Sequence, residues 1–347
     1  MSRRPDFEIG GFCIPAGTRR TVDLPVSVLS DHTPVTMSAH VIHGAEAGPT
    51  MFVSAAIHGD EVIGVEIARR LLRSRKFSRL KGTLIVVPIV NTFGFLNHSR
   101  YLPDRRDLNR CFPGSEGGSL ASRLAHLFMT EVVARCDLGI DLHSAAIHRT
   151  NMPQIRVSPK AKDTLAYADA FGAPVVIRSG LREGSLRQAA QNVGVDILLY
   201  EAGEGLRFDE YSARVGVAGI LRVMHALGMI PEDGVPLAET VPVRAGSSSW
   251  ERAPAGGLLR AFKTTGDMVE QGEILGVVAD PFGETEAELA AGGAGLIIGR
   301  ANMPIVNEGD ALFHIARVVN AAEAEQRIED LSAQLDGAAM FDEDEII

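Results

Sequence analysis

The stretch "TMFVSAAIHGDEVIGVEIARRLLRS", residues 50–74, changes its hydrophobic period halfway along. Its first eight residues form a nearly unbroken apolar run, as a strand covered on both faces requires, whereas "EVIGVEIARRLLRS" spaces its apolar residues at helical intervals. A buried strand followed at once by an amphipathic helix is the repeating unit of an α/β sheet. Between the two halves stand His58, Asp60 and Glu61, polar groups placed where a buried strand runs out.

The alternation continues outward. "GTLIVVPIV", "LGIDLHS", "PVVIR" and "DILLYEAG" read as strands; "LASRLAHLFMTEVVARC", "SLRQAAQNVGV" and "FDEYSARVGVAGILRVMHALG" read as helices. The spacing predicts a mostly parallel mixed sheet flanked by helices over residues 36–235, with residues 1–35 as an N-terminal extension. At "MIPEDGVPLAETVPVRAGSSSW" the texture shifts to proline, glycine and short extended pieces, which marks a linker. A smaller all-β domain is expected over 236–318, where two similar units of strand, turn and Gly-Asp or Gly-Glu hairpin follow each other. "TTGDMVEQGEILG" resembles the hammerhead of biotinyl and lipoyl carrier domains, which implies a barrel-sandwich. Carrier function does not follow, because the last lysine of the chain, Lys263, precedes that hairpin. The unit is expected to be structural or substrate-limiting. Residues 319–347 read as a helix, with Ile328, Leu331 and Leu335 on one face for packing against a neighbour in a homo-oligomer, and an acidic end.

Composition narrows the function classes. The 347 residues are 46% hydrophobic, enough for a substantial core, and the net charge of -10 argues against a nucleic-acid surface, which needs clustered lysine and arginine. Cys13, Cys111 and Cys136 are odd in number and scattered, so a reducing compartment is expected. No leader-like apolar stretch follows the basic start, and no run reaches the roughly 18 apolar residues a spanning helix needs. A cytoplasmic protein without a membrane partner is the expectation.

The polar residues at the strand ends suit a metal. His58 and Glu61 can be aimed at one point by a tight turn, and His143 in "GIDLHSA" sits where another strand gives way to polar residues. Two histidines and one carboxylate leave a tetrahedral zinc one open position for water. Asp141 can orient the ring of His143 and Asp60 that of His58. The competing reading makes Asp60 and Glu61 helix-start acids that complement the helix dipole. Glu201 ends the apolar run "DILLY", where a strand-end glutamate paired with an arginine is one reading.

"HGDE", "RYLPDRRDLNRCFPG", "DLHSA" and "LLYEAG" occur in that order, each at or just beyond a predicted strand end. As a set they resemble the succinylglutamate desuccinylase and aspartoacylase family, relatives of the zinc carboxypeptidases, over roughly residues 35–316. The resemblance implies that His58, Glu61 and His143 hold one zinc per chain and that Glu201 is the general base and later the acid. It assigns Asn109 and Arg110 to the substrate's carboxylate, and Arg100, followed by Tyr101, to polarising the scissile carbonyl. The spacing from Arg100 to Asn109 is longer than in aspartoacylase-like members, so Arg105 or Arg106 is an alternative for that role. The family's further substrate arginine falls on Gln191, with Arg182 or Arg187 as substitutes, and no tyrosine follows Tyr211 to supply the one aspartoacylases send from their C-terminal domain.

The function implied is zinc-dependent removal of an acyl group from an N-acyl amino acid or similar small substrate. The alternatives are a carboxypeptidase acting on short peptides, a thiol enzyme using Cys111 with His143, and a degenerate binding protein. The loops "HRTNMPQIR" and "RSGLREGS" are expected to form the acyl pocket, with His148 close by.

Overall fold

A computed structural model describes residues 4–159, 162–238 and 241–318. The expected C-terminal helix with Ile328, Leu331 and Leu335 lies outside them. A hairpin of β1 (Phe7–Ile9) and β2 (Phe12–Ile14) leads into β3 (Thr18–Val28), β4 (Pro34–His43) and β5 (Glu46–Ala55). Then come α1 (Ile63–Arg73), β6 (Lys81–Val87), α2 (Thr92–Leu96), α3 (Leu120–Glu131) and β7 (Leu138–His143). They are followed by β8 (Arg149–Val157), α4 (Lys162–Phe171), β9 (Val175–Arg178), α5 (Leu186–Asn192), β10 (Asp196–Gly203) and α6 (Glu210–Ala226). The last part holds β11 (Val243–Arg252), β12 (Gly257–Ala261), β13 (Met268–Val269), β14 (Ile274–Ala279), β15 (Glu286–Ala290), β16 (Gly295–Ala301), β17 (Ile305–Val306) and β18 (Ala311–Val318).

The two-residue period of β5 sorts its side chains onto both faces of the sheet. Met51, Val53 and Ala55 join one core with α1 and α6, while Phe52 joins the other and meets Phe128 of α3 edge-on, with ring centroids 5.7 Å apart. Twelve strands form one sheet in the order β13-β16-β18-β11-β9-β8-β10-β7-β5-β6-β4-β3. Parallel pairing is confined to the block β6-β5-β7-β10 and to β8-β9-β11; the other pairs are antiparallel. The sheet is therefore mixed, with parallel pairing dominant among the strands of residues 36–235.

Three expectations change. β3, inside the presumed N-terminal extension, is the sheet's outer strand, paired with β4 along its length. "HRTNMPQIR", expected as a loop, is largely β8, whose Thr-Asn-Met and Ile pieces gain their strand character from tertiary pairing with β10, β9 and β16. The second unit is continuous with the first: β11 extends the sheet beside β9, β16 pairs with β8, and β15-β14-β12-β17 form a second layer over the buried Leu259, Val278, Ile297 and Phe313. Among the described residues no helix is long and apolar enough to cross a membrane.

Gly139 on β7 faces Phe52 on β5, and a Cβ there would lie 2.1 Å from the ring. Gly139→Ala should therefore destabilise the fold by about 1–3 kcal/mol through overpacking, read as a lower urea midpoint at unchanged slope.

Candidate metal centre and catalytic cleft

β5 and β7 are parallel neighbours, so their C-terminal ends deliver His58 and His143 to the same edge of the sheet. After β5 the chain turns tightly: Ala56 adopts φ +51, and a Cβ on Gly59 would lie 1.9 Å from the backbone of Gly94. Helix α1 starts only at Ile63, with Val62 as an N-cap that makes no side-chain capping bond. Glu61 accordingly stays in the turn and does not cap the helix. Its two oxygens lie 2.7 Å from His58 Nδ1 and 2.7 Å from His143 Nδ1. One nitrogen or oxygen from each of His58, Glu61 and His143 could serve as a metal ligand; these atoms fall within 4.8 Å of one another, and all three residues are buried.

The outer ring nitrogens are each taken by another carboxylate. Asp141 lies 2.7 Å from His143 Nε2 and itself accepts from Ser54 Oγ at 2.7 Å. His58 Nε2 lies 3.1 Å from Asp107, so Asp107, not Asp60, orients this ring. Asp60 instead leaves Oδ1 buried without a hydrogen-bond partner among the described residues. Arg100 donates to Asp107 from Nη2 at 2.9 Å and reaches Glu61 from Nη1 at 3.3 Å. Burial is the largest influence on both imidazoles and lowers their pKa values, but neighbouring carboxylates outweigh it. His58 is raised by Glu61 and Asp107, and His143 is raised well above the ordinary range by Asp141 and Glu61. A buried cluster that draws positive charge this strongly, with both Nδ1 atoms and a carboxylate facing one point, fits a divalent cation.

Glu201 lies near the C-terminal end of β10, in register with His143. One of its oxygens accepts from Asn151 Nδ2 at 2.8 Å and the other lies 3.8 Å from Arg156 Nη1. These groups share a cleft of about 480 Å³. A larger groove, about 980 Å³, opens at the other end of β5 and β6, around Glu46 and Lys81, away from the His-Glu-His cluster.

Of the other residues singled out from sequence, Arg100, Asn109, Arg110, Arg182 and Arg187 line the cleft. Asn109 Oδ1 accepts from the Leu186 amide, which ties the "DLNR" turn to α5. Arg187 has its pKa lowered to about 10 by burial and by Arg156, and its Nη1 is buried without a hydrogen-bond partner among the described residues. Tyr101, Arg105 and Arg106 are exposed and do not line the cleft; Arg106 instead lies 3.9 Å from Asp104. Gln191 bonds to Ser158, and His148 is also off the lining. Cys111 donates its thiol to the Asp107 carbonyl, and burial pushes its pKa up, opposite to the acidification a thiol nucleophile needs.

Asp107, beside the cluster, and Trp250 and His314 of the second unit, which line the cleft, are not anticipated by the sequence, whereas Arg149, Asn151 and Arg156 line it from the "HRTNMPQIR" segment expected to form the acyl pocket. Trp250 stacks on His314 at 4.6 Å, with Arg149 over the indole at 5.4 Å. Asp107 carried the one usable signal, since it lies two residues before Asn109 in a motif already singled out.

Residues 47–227 match the succinylglutamate desuccinylase/aspartoacylase catalytic domain. A curated relative, N-alpha-acetyl-L-2,4-diaminobutyric acid deacetylase of Halomonas elongata, is 28% identical over 286 residues, covering 79% of this chain and 84% of the relative. The structure of succinylglutamate desuccinylase/aspartoacylase from Rhodobacter sphaeroides superposes with a TM-score of 0.80 at 26% identity, covering 87% of this chain and 96% of that one. Product-bound ectoine utilization protein EutE (DoeB) from Ruegeria pomeroyi gives 0.77 at 25%, covering 86% and 94%. The chain belongs to the succinylglutamate desuccinylase/aspartoacylase family.

Because Asp107 joins His58 to Arg100, Asp107→Ala should weaken any divalent-cation binding at the cluster about 10- to 100-fold in a chelator-competition titration with zinc as the probe, whereas Asp60→Asn should change it far less.

Proposed function

We propose that this family member hydrolyses the amide bond of an N-acyl amino acid or a similarly small acid in the cytoplasm, with one zinc ion held by His58, Glu61 and His143. The bound ion would supply Lewis acidity and favour deprotonation of water near neutral pH. The observation that carries the reading is the convergence of a buried His-Glu-His cluster and Glu201 on one cleft.

The chain's own groups divide the remaining work. Glu201 accepts the proton of the attacking water and hands it to the leaving nitrogen. Arg100, its guanidinium fixed by Asp107 and directed at the cluster, stabilises negative charge developing on the carbonyl oxygen. Asn109 and Arg110 take the substrate's carboxylate, for which a guanidinium fork beside an amide is suited. Arg187 and Arg156, off the family motif, add positive charge that favours an acid over a neutral peptide segment. The Trp250 and His314 wall leaves room for a small molecule. Names of relatives support the same direction: the Halomonas elongata protein is named as a deacetylase of an acetylated amino acid.

The test is amine release from N-acetyl-L-2,4-diaminobutyrate, N-acetyl-L-aspartate and N-succinyl-L-glutamate, run beside short peptides. At least one acylated amino acid should be cleaved, a chelator should stop the reaction and zinc restore it, and Glu201→Gln should lower kcat by about 10²–10⁴. Cys111→Ser should leave turnover within about twofold, since nothing in the reaction uses the thiol. Cleavage of peptides alone, or less than about half an equivalent of bound metal with no turnover after reconstitution, rejects the proposal.

A further inference from the structure

The second unit has no chemical role in the reading above beyond a wall of the cleft, yet one of its strands reaches the base. β16 pairs with the start of β8, placing Gly299 opposite Asn151, while on the other side of β8 Asn151 stands opposite Gly203 of β10. Asn151 is thus held between the strand that carries Glu201 and a strand of the second unit. Its side-chain Nδ2 donates to Glu201 Oε2 at 2.8 Å. A Cβ at position 299 would lie 2.7 Å from Asn151 Oδ1 and 3.2 Å from the Thr150 carbonyl, so glycine there is what lets the amide occupy this place. Glycine inside a strand marks such a close approach. Gln154, directly opposite Glu201, makes a second tie by donating to the Ile298 carbonyl at 3.2 Å.

We infer that Asn151 is a positioning residue for Glu201, and that the second unit serves the reaction by bracing Asn151 through Gly299. A glutamate side chain has three rotatable bonds, and proton transfer requires its oxygen within hydrogen-bond reach of both water and leaving nitrogen. A charge-assisted bond from a buried amide to one oxygen fixes the carboxylate plane and leaves the other oxygen for the proton. Arg156 at 3.8 Å is beyond hydrogen-bonding distance and supplies charge without direction. Asn151 is itself buried and set on a strand paired on both sides, so its own position is defined.

The inference rests on Glu201 as the base, and the test separates the two. Turnover of the three acylated amino acids above is measured for wild type, Asn151→Ala, Asn151→Asp, Gly299→Ala, Glu201→Gln and the Asn151→Ala/Glu201→Gln double variant, with zinc content for each. Asn151→Ala should lower kcat about 10- to 100-fold with KM within about threefold and zinc unchanged, because geometry and not binding is lost. Asn151→Asp should lose at least as much, an acceptor then facing an acceptor, and Gly299→Ala about three- to tenfold. In the Glu201→Gln background, Asn151→Ala should have less than about a twofold effect. Crystal structures of wild type and Asn151→Ala should show Glu201 in one orientation and in more than one, respectively; Gly299→Ala gives the same readout where Asn151→Ala does not fold. An equal loss in both backgrounds, a kcat within twofold of wild type, or an unmoved Glu201 in the variant crystal overturns the inference. Wild-type kcat in Glu201→Gln overturns the base assignment instead, and should no substrate turn over, the crystallographic comparison alone decides for or against Asn151.

Discussion

Two imidazoles and a carboxylate buried together at the end of a sheet are the constraint on which the rest of the structure depends. An unpaired charge taken out of water costs several kcal/mol, so such a cluster persists only where every polar atom finds a partner or a cation. Here the fold provides the partners. Parallel pairing of β5 and β7 brings the two histidines side by side, and the turn after β5 keeps Glu61 out of α1 and between them. The outer nitrogens are met by Asp141 and Asp107, which are in turn held by Ser54 and Arg100. Each of these residues stands at the end of a strand or in a short turn fixed by a neighbour.

The same logic explains why the second unit is built into the large sheet and is not tethered beside it. A cleft walled only by loops after β7 and β10 would leave Glu201 at an open edge. Continuation of the sheet through β11, β18 and β16 places Trp250 and His314 against the cleft and puts Gly299 behind Asn151. His314 shows how dry that junction is: burial, then the charge of Arg156, lowers its pKa to about 3, so it stays a neutral ring in its stack with Trp250.

What was legible in the sequence follows from this division. A buried strand that runs out into a histidine or glutamate is a local signal, which singles out His58, Glu61 and His143, while Glu201 comes from the family resemblance; the structure brings all four to one cleft. The alternation of strands and helices was equally local. Partners supplied by another strand or turn were not, because no period in the chain encodes them. Asp107 Oδ1 accepts from the Asn109 amide and closes that turn, and only the folded chain shows the same oxygen near His58 Nε2 and Oδ2 accepting from Arg100. Asn151 lay in a segment whose strand character comes from its neighbours, and Trp250 closed a stretch that reads as a linker. Tyr101 and Arg106 were picked by motif adjacency, which does not say which side of a turn faces the cleft.

The charge of the cleft constrains what can enter it. Arg100, Arg110, Arg149, Arg156, Arg182 and Arg187 line it, against Glu61, Asp141 and Glu201 as the carboxylates. Glu61 and Asp141 are committed to the histidines, and Arg100 is the guanidinium that Asp107 engages directly. Arg156 and Arg187 therefore share Glu201, the proposed base, as a nearby carboxylate, and both keep a buried nitrogen without a hydrogen-bond partner among the described residues. Two guanidiniums so placed repel each other and lose hydration, a penalty that an entering anion relieves and a cation or an apolar chain does not. The cleft is thus complementary to an anion, as the proposed acyl amino-acid substrate would be.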